Sequence, residues 1–313
     1  MPLVAKRPES LPAGAGSPRV LGAAAVTVVL WASAFVVIRG LGEHFGPGSM
    51  ALLRMAVGSA VLGAIAALSG ARMPSLRDLP LIAVWGISWF SLYNLALNWA
   101  EVFLDAGTVA MLVNLAPLIV IVFGAVFLRE GFPGPLLIGA PVSFLGVVLI
   151  GSSSWTGSKA VGGVVLAVTA AFLYGGSALL QKRLLRDADA TALTFLGALV
   201  GTAALLPWTG ELVHDLAHAS LPATLGVVYL GVFPTGVAFT TWAYVLSRTS
   251  AGRTAATTYA VPAVVLVMSW LLLAEIPTPV MFAGGALCLL GVFITRLPTR
   301  RAPAGRVSAG PGQ

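Results

Sequence analysis

Charge is scarce in this sequence: only 9% of its 313 residues are Asp, Glu, Lys or Arg, while 58% are hydrophobic. The mean hydropathy is +0.95. A water-soluble domain carries about 25% charged residues, so this chain has too few to cover a surface in water. Its apolar exterior must meet lipid, where each backbone N–H and C=O is paired inside its own helix. Cysteine is nearly absent too. Cys288 stands alone in a hydrophobic run, which excludes a disulfide framework and a thiolate metal site. The three histidines, His44, His214 and His218, fall between hydrophobic runs, so no span carries a His-x-x-x-His pair. Acids are missing from mid-span: Glu101, Asp105, Glu130 and Glu275 all lie near span ends. A central carboxylate relay and intramembrane enzyme chemistry are both disfavoured, and no cofactor or metal is expected.

What is present is a series of apolar runs. A hydrocarbon core about 30 Å thick needs roughly 20 residues of helix. Ten candidates result: Val20–Ile38, Ser49–Leu68, Leu79–Trp99, Ala106–Leu128, Gly134–Ser152, Val161–Gln181, Thr191–Thr209, Pro222–Leu246, Arg253–Leu273 and Thr278–Arg296. The formal charge of +7 is a topology signal rather than a nucleic-acid footprint. With ten spans, fifteen basic residues fall on the amino-terminal side and only Arg39 and Lys159 on the other. Miscounting one middle helix would destroy that split. Both termini are therefore expected in the cytoplasm, with residues 1–18 and 297–313 as disordered tails rather than a cleaved signal. Lysine supplies only three of eighteen basic residues, a bias that hints at a GC-rich bacterial source.

The second half echoes the first. Asn98-Trp99-Ala100 matches Thr241-Trp242-Ala243 after 143 positions. Gly107, Pro117, Glu130 and Leu145-Gly146-Val147 match Gly252, Pro262, Glu275 and Leu290-Gly291-Val292 after 145. Five spans per repeat deliver the chain to the opposite face, so the second copy is expected upside down. The expected fold is an all-α integral membrane protein, ten transmembrane helices as two inverted five-helix repeats, 19–152 and 153–296, around a central cavity. That construction suits secondary transport.

Paired interruptions in corresponding spans point to a binding site. Pro117 and Pro262 each remove a backbone donor and free a carbonyl one turn earlier, near Val113 and Thr258. Either they line the cavity, with Asn114 and Tyr259 on the same face, or they only kink helices for packing. A polar and aromatic set on other spans comprises Trp31, Ser33, Trp85, Trp89, Tyr93, Asn94, Asn98, Tyr174, Gln181, Trp242 and Tyr244. Asn94 and Asn98 share a face and read equally as substrate contacts or as interhelical hydrogen-bonding groups. Trp99, Trp155, Trp208 and Trp270 fit interfacial anchors better, although Trp99 and Trp242 also form a pair able to cap the pathway from opposite sides. Arg54, just inside the second span, either snorkels outward or meets an anionic substrate group. Glu211, His214, Asp215 and His218 follow one helical face, a pattern more often solvated than metal-bound.

The order and spacing of these elements are those of a known family. Trp31-Ala32-Ser33-Ala34-Phe35, Ala51-Leu52-Leu53-Arg54, Ala106-Gly107-Thr108-Val109-Ala110, Ala116-Pro117 and Leu128-Arg129-Glu130 carry the resemblance in the first half. Thr249-Ser250-Ala251-Gly252-Arg253, Val261-Pro262 and Ala274-Glu275 carry it in the second. Over about residues 20–296 the chain resembles the ten-span EamA-type carriers of the drug/metabolite transporter superfamily. The resemblance implies a basket of ten helices whose first, third, fourth, sixth, eighth and ninth spans line the cavity, in a bacterial inner membrane. It implies export of amino acids or related small metabolites by alternating access, as a monomer or weak homodimer whose partners are substrate and lipid. Four-span multidrug relatives carry a glutamate in their first helix. Here that stretch, Trp31 to Phe35, has none, which counts against proton-coupled multidrug efflux. Proton-coupled multidrug efflux nevertheless stays as the first alternative, with a non-transporting receptor or scaffold behind it.

Overall fold

The computed structural model describes residues 17–104, 109, 112–128, 134–152, 161–273 and 278–297. The expectations for most of both tails, and for Asp105, Glu130, Trp155, Lys159 and Glu275, fall outside these residues. Ser17 accepts from Val20 N–H and Pro18 opens α1 (Pro18–Leu41), a start that needs no lost donor. Proline also opens α2 (Pro47–Ser69), and Gly70 ends it at φ 63°, donating to Ala66 and Ala67 carbonyls. After these come α3 (Leu79–Gly86) and α4 (Tyr93–Phe103), joined by a π-helical stretch, Ile87–Leu92. Next are α5 (Ala116–Phe127), α6 (Gly134–Ser152), α7 (Val161–Leu184) and α8 (Ala190–Ala204), the last capped by the Asp189 carboxylate. The chain then bends by 49° into α9 (Thr209–His218). A second π-helical stretch, Gly231–Val237, joins α10 (Leu221–Leu230) to α11 (Ala238–Arg248). Three helices finish the fold: α12 (Ala251–Thr257), α13 (Ala260–Leu273) and α14 (Pro279–Arg296).

Among the described residues, six helical stretches are long and apolar enough to cross a membrane, or seven with the bent α8–α9 pair as one. Three shorter apolar helices accompany them: Ala116–Phe127, Gly134–Gly146 and Phe282–Thr295. Their outer surfaces are large and hydrophobic (Val126, Phe127, Ile138, Val165, Phe172, Leu271, Phe293), while small residues such as Ala167, Ala170, Ala171 and Ala178 face inward. Lipid offers helices no hydrophobic drive to associate, so close approach of small residues carries the packing. The chain is a multi-pass, all-helical membrane protein.

Helices of the two halves interlock. The first long helix, α1, packs on α11 and α13; α7, which opens the second half, packs on α4 and α5. Each half thus lends its first helix to the other. Where α6 meets α14, equivalent residues face one another. Ser143 Oγ donates to the Cys288 carbonyl at 3.1 Å, Cys288 Sγ donates back to the Ser143 carbonyl at 3.4 Å, and the two residues are 145 positions apart. A Cβ at Gly139 would stand 2.5 Å from Gly291 O, and one at Gly146 would stand 2.5 Å from Gly284 O. As one helix advances from 139 to 146 its neighbour retreats from 291 to 284, so the pair runs antiparallel. Ser59 and Thr202, 143 apart on α2 and α8, meet through their hydroxyls at 2.8 Å. These exchanged contacts have the form of a two-fold interface.

The third and eighth spans expected from the sequence are each found as one helical stretch, Leu79–Phe103 and Leu221–Arg248, and each contains a π-helical segment; the two segments start 144 positions apart, at Ile87 and Gly231. Pro234 explains the second. Its ring clashes with the carbonyl four residues back, and that carbonyl, of Leu230, instead accepts from Thr235 Oγ1 at 2.9 Å. The fourth and ninth expected spans carry turns at Asn114–Leu115 and Thr258–Tyr259, the second inside a stretch, Ala251–Leu272, that is long and apolar enough to cross as one span.

Candidate functional site

At the level of these segments and turns, α1, the Ile87–Leu92 stretch, α7 and α11 bring their aromatic rings together. Trp31 lies 5.0 Å from Trp242 and 5.5 Å from Phe239, centroid to centroid. Trp89 lies 5.5 Å from Tyr174 and 5.4 Å from Phe239. Tyr93 closes on Tyr174 at 6.1 Å. These spacings fall within the range in which edge and offset contacts add to burial. Polar handles hold the rings in place. Trp242 Nε1 donates to Gln181 Oε1 at 2.9 Å, and Trp31 Nε1 donates to the Pro234 carbonyl at 3.2 Å within the π-helical stretch.

The amides work the same way. Asn94 Nδ2 donates to the Trp89 and Phe90 carbonyls at 3.1 and 3.2 Å, so the first π-helical stretch is satisfied by its own following turn. Asn98 Nδ2 donates to the Pro47 carbonyl at 3.0 Å. Both amide oxygens are buried and have no hydrogen-bond partner among the described residues, as is Glu101 Oε1. Arg54 Nε donates to Thr235 Oγ1 at 3.0 Å, tying α2 to the second π-helical stretch.

Two cavities adjoin through Ile38. The inner one has a volume of about 60 Å³ and is lined by Trp31, Phe35, Arg54, Trp89, Tyr93, Asn94, Asn114, Tyr174, Phe239 and Thr258, among others. The wider one, about 620 Å³, is walled by residues 42–47, Met50, Asn98, Glu101 and Asp215. Of the residues picked out from the sequence, Trp31, Trp89, Tyr93, Asn94, Asn114 and Tyr174 line the inner cavity and Asn98 the wider one.

Others sit elsewhere. Trp242 is fully buried within the aromatic cluster and Gln181 fully buried behind it, and Ser33 pairs with the Tyr229 hydroxyl at 2.8 Å. Tyr259, expected on the same face as Asn114, instead packs with Ile121, Leu136, Ala140 and Cys288. Its neighbour Thr258 lines the cavity in its place. The Thr258 carbonyl accepts from Val261 N–H at 2.9 Å, so Pro262 leaves it engaged. Neither Pro117 nor Pro262 lines either cavity; the turns before them do. Trp85 fills the space over Gly197 rather than facing a cavity. Trp99 and Trp270 are substantially exposed, while Trp208 packs on the core and over Gly48.

Phe239 and Arg54 are the residues the sequence reading undervalued. Phe239 is three positions before Trp242, hence on its face of the helix. Arg54 interrupts an apolar run, itself a pointer to function in a membrane. The face carrying Glu211, His214, Asp215 and His218 lies on α9. There the Asp215 carboxylate takes Gly46 N–H at 2.9 Å and the Ser49 hydroxyl, which ties α9 to the start of α2. His218 Nδ1 pairs with the His214 carbonyl. Among the described residues no group of three or more His, Cys, Asp or Glu is placed to hold a metal ion.

The sequence profile of the EamA-like transporter family matches residues 19–152 and again 161–297. The "Probable terminal-alkyne amino-acid exporter" of Streptantibioticus cattleyicolor is 36% identical over 280 residues, covering 88% of this chain and 93% of that protein. The "Uncharacterized transporter YdfC" of Bacillus subtilis is 33% identical over 275 residues, 87% and 89% of the two chains. At 24% identity over 299 residues (91% and 97%) stands the "Probable amino-acid metabolite efflux pump" of Salmonella typhimurium. One protein of known crystal structure superposes with a TM-score of 0.73 at 21% identity, over 90% of this chain and 99% of its own, a likeness of fold. Matched by the profile in both halves and by such relatives over most of its length, this chain belongs to the EamA-like transporter family and is not an enzyme.

Proposed function

We propose that the protein is an inner-membrane alternating-access carrier that exports amino acids or closely related small metabolites. Ten crossings follow if the bent α8–α9 pair and the three shorter apolar helices each count as one. Both termini then lie in the cytoplasm, and repeats 19–152 and 153–296 are inverted across the bilayer. The antiparallel self-contact of α6 with α14 supports this, because a two-fold axis in the membrane plane relates antiparallel helices.

The observation that carries the reading is the inner cavity itself. Aromatic rings from both halves meet buried amides there, beside π-helical segments in two corresponding helices. Rings suit the apolar part of a metabolite, and amides its polar part. The printed names of two relatives, an amino-acid exporter and an amino-acid metabolite efflux pump, point the same way. At about 60 Å³ the cavity takes a few waters, so loading a substrate requires the helices to part.

Counterflow in proteoliposomes against a panel of labelled neutral amino acids tests this. At least one should exchange saturably, and Trp31→Ala and Asn98→Ala should lower that flux about tenfold or more. Trp270→Ala, on the exposed surface, should leave it unchanged. Equal effects would remove the site assignment, and saturable binding without exchange would favour a receptor. Flux is expected to follow the substrate gradient alone. Strict dependence on an imposed pH gradient would shift the reading to proton-coupled efflux, for which the buried Glu101 oxygen is the foothold.

A further inference from the structure

We infer that Arg54 and Glu101 read the two opposite charges of a zwitterionic substrate, Arg54 taking its carboxylate and Glu101 its ammonium group. The inference rests on the carrier reading above and adds to it the residues that set the charge of the substrate.

Arg54 is 5% exposed inside an apolar helix, where an unpaired charge is costly. Its guanidinium has five N–H donors, and Nε to Thr235 is the one hydrogen bond it makes among the described residues. Arg54 lines the inner cavity, and a guanidinium has the planar geometry that fits a carboxylate bidentately. Glu101 lies on α4 with Asn94 and Asn98 at i, i+4 and i+7, one helical face. Each contributes a buried oxygen without a partner. The amide orientations are fixed by chemistry: Asn94 Nδ2 and Asn98 Nδ2 both meet backbone carbonyls, which require a donor, so the free atoms are acceptors. The face therefore carries a row of buried acceptors ending in a carboxylate, on residues that line the inner cavity (Asn94) and the wider one beside it (Asn98, Glu101), while Arg54 lines the inner one. The complement of that arrangement is a molecule with a carboxylate, an ammonium and no net charge.

Packing alone does not account for the pair. The 143-residue offset places Gly197 opposite Arg54 in the second half, and there glycine meets the Trp85 ring. The same offset takes Glu101 to Tyr244. Neither charge therefore has a charged counterpart at the equivalent position of the other half.

The experiment uses the full chain in proteoliposomes, with the neutral amino acid that exchanges fastest as the probe. Its decarboxylated amine and its N-acetyl derivative serve as competitors. On the native protein both should compete at least about tenfold more weakly than the amino acid, each having lost one recognised charge. Arg54→Gln should lower amino-acid counterflow about tenfold and erase the preference over the amine. Glu101→Gln should do the same for the N-acetyl derivative, and Arg54→Lys should recover part of the loss. Equal competition by all three on the native protein, or unchanged preferences in both neutral variants, overturns the inference while leaving the carrier reading intact. If Arg54→Gln does not fold, the native competition and Glu101→Gln still decide. If no amino acid exchanges, the carrier reading fails first and this inference with it.

Discussion

Trp242 anchors the deep end of the aromatic cluster through one polar bond, from its indole N–H to Gln181. Gln181 is fully buried, and its Nε2 already has no partner among the described residues. Trp242→Phe keeps a ring in place but leaves the Gln181 oxygen unsatisfied, at a cost of about 1–3 kcal/mol. Thermal unfolding in detergent should fall accordingly, and Trp242→Phe combined with Gln181→Leu should recover much of it. An unchanged midpoint in the single variant would show that Gln181 finds another donor. At this scale much was legible. Rings and amides in apolar runs stand out, and Trp31, Trp89, Tyr93 and Asn94 do line the inner cavity. Arg54 was harder, because one or two turns inside a span is where arginines commonly snorkel. What held it inside was invisible locally: a threonine 181 residues away.

The helices keep their contacts by lacking side chains at chosen places. A Cβ at Gly146 would lie 2.5 Å from Gly284 O and 2.6 Å from Cys288 N, both backbone atoms unable to swing aside. Gly146→Ala should therefore force α6 and α14 apart and destabilise the fold by about 1–3 kcal/mol, the usual cost of overpacking. Gly22→Ala, where nothing lies within 4 Å, is the matched control. Similar midpoints for the two variants in a thermal-shift assay would argue against the close approach. The turns before Pro117 and Pro262 could be read from the sequence because proline removes a donor. Pro234 carries the same signal for the second π-helical stretch, set within a long apolar run. The first stretch, Ile87–Leu92, contains neither proline nor glycine, so no local chemistry announced it.

For the whole molecule, the sequence reading of membrane class and duplication agrees with the helical fold and with a family profile matched twice. Sidedness is the prediction left to this scale. Cys288 is fully buried, so a membrane-permeant maleimide should leave the native chain unlabelled. Against that silent background, an impermeant maleimide on intact cells should label Glu43→Cys and spare Arg186→Cys, both at exposed positions. Labelling of both, or of the second alone, would break the proposed topology. The exchange between Ser143 and Cys288 has a consequence for where such a molecule can come from. An interface in which each residue meets its own counterpart can be assembled from two identical polypeptides, provided they enter the membrane facing opposite ways. A half-length ancestor would have possessed this seam before any fusion, and joining the copies needed only a linker between them.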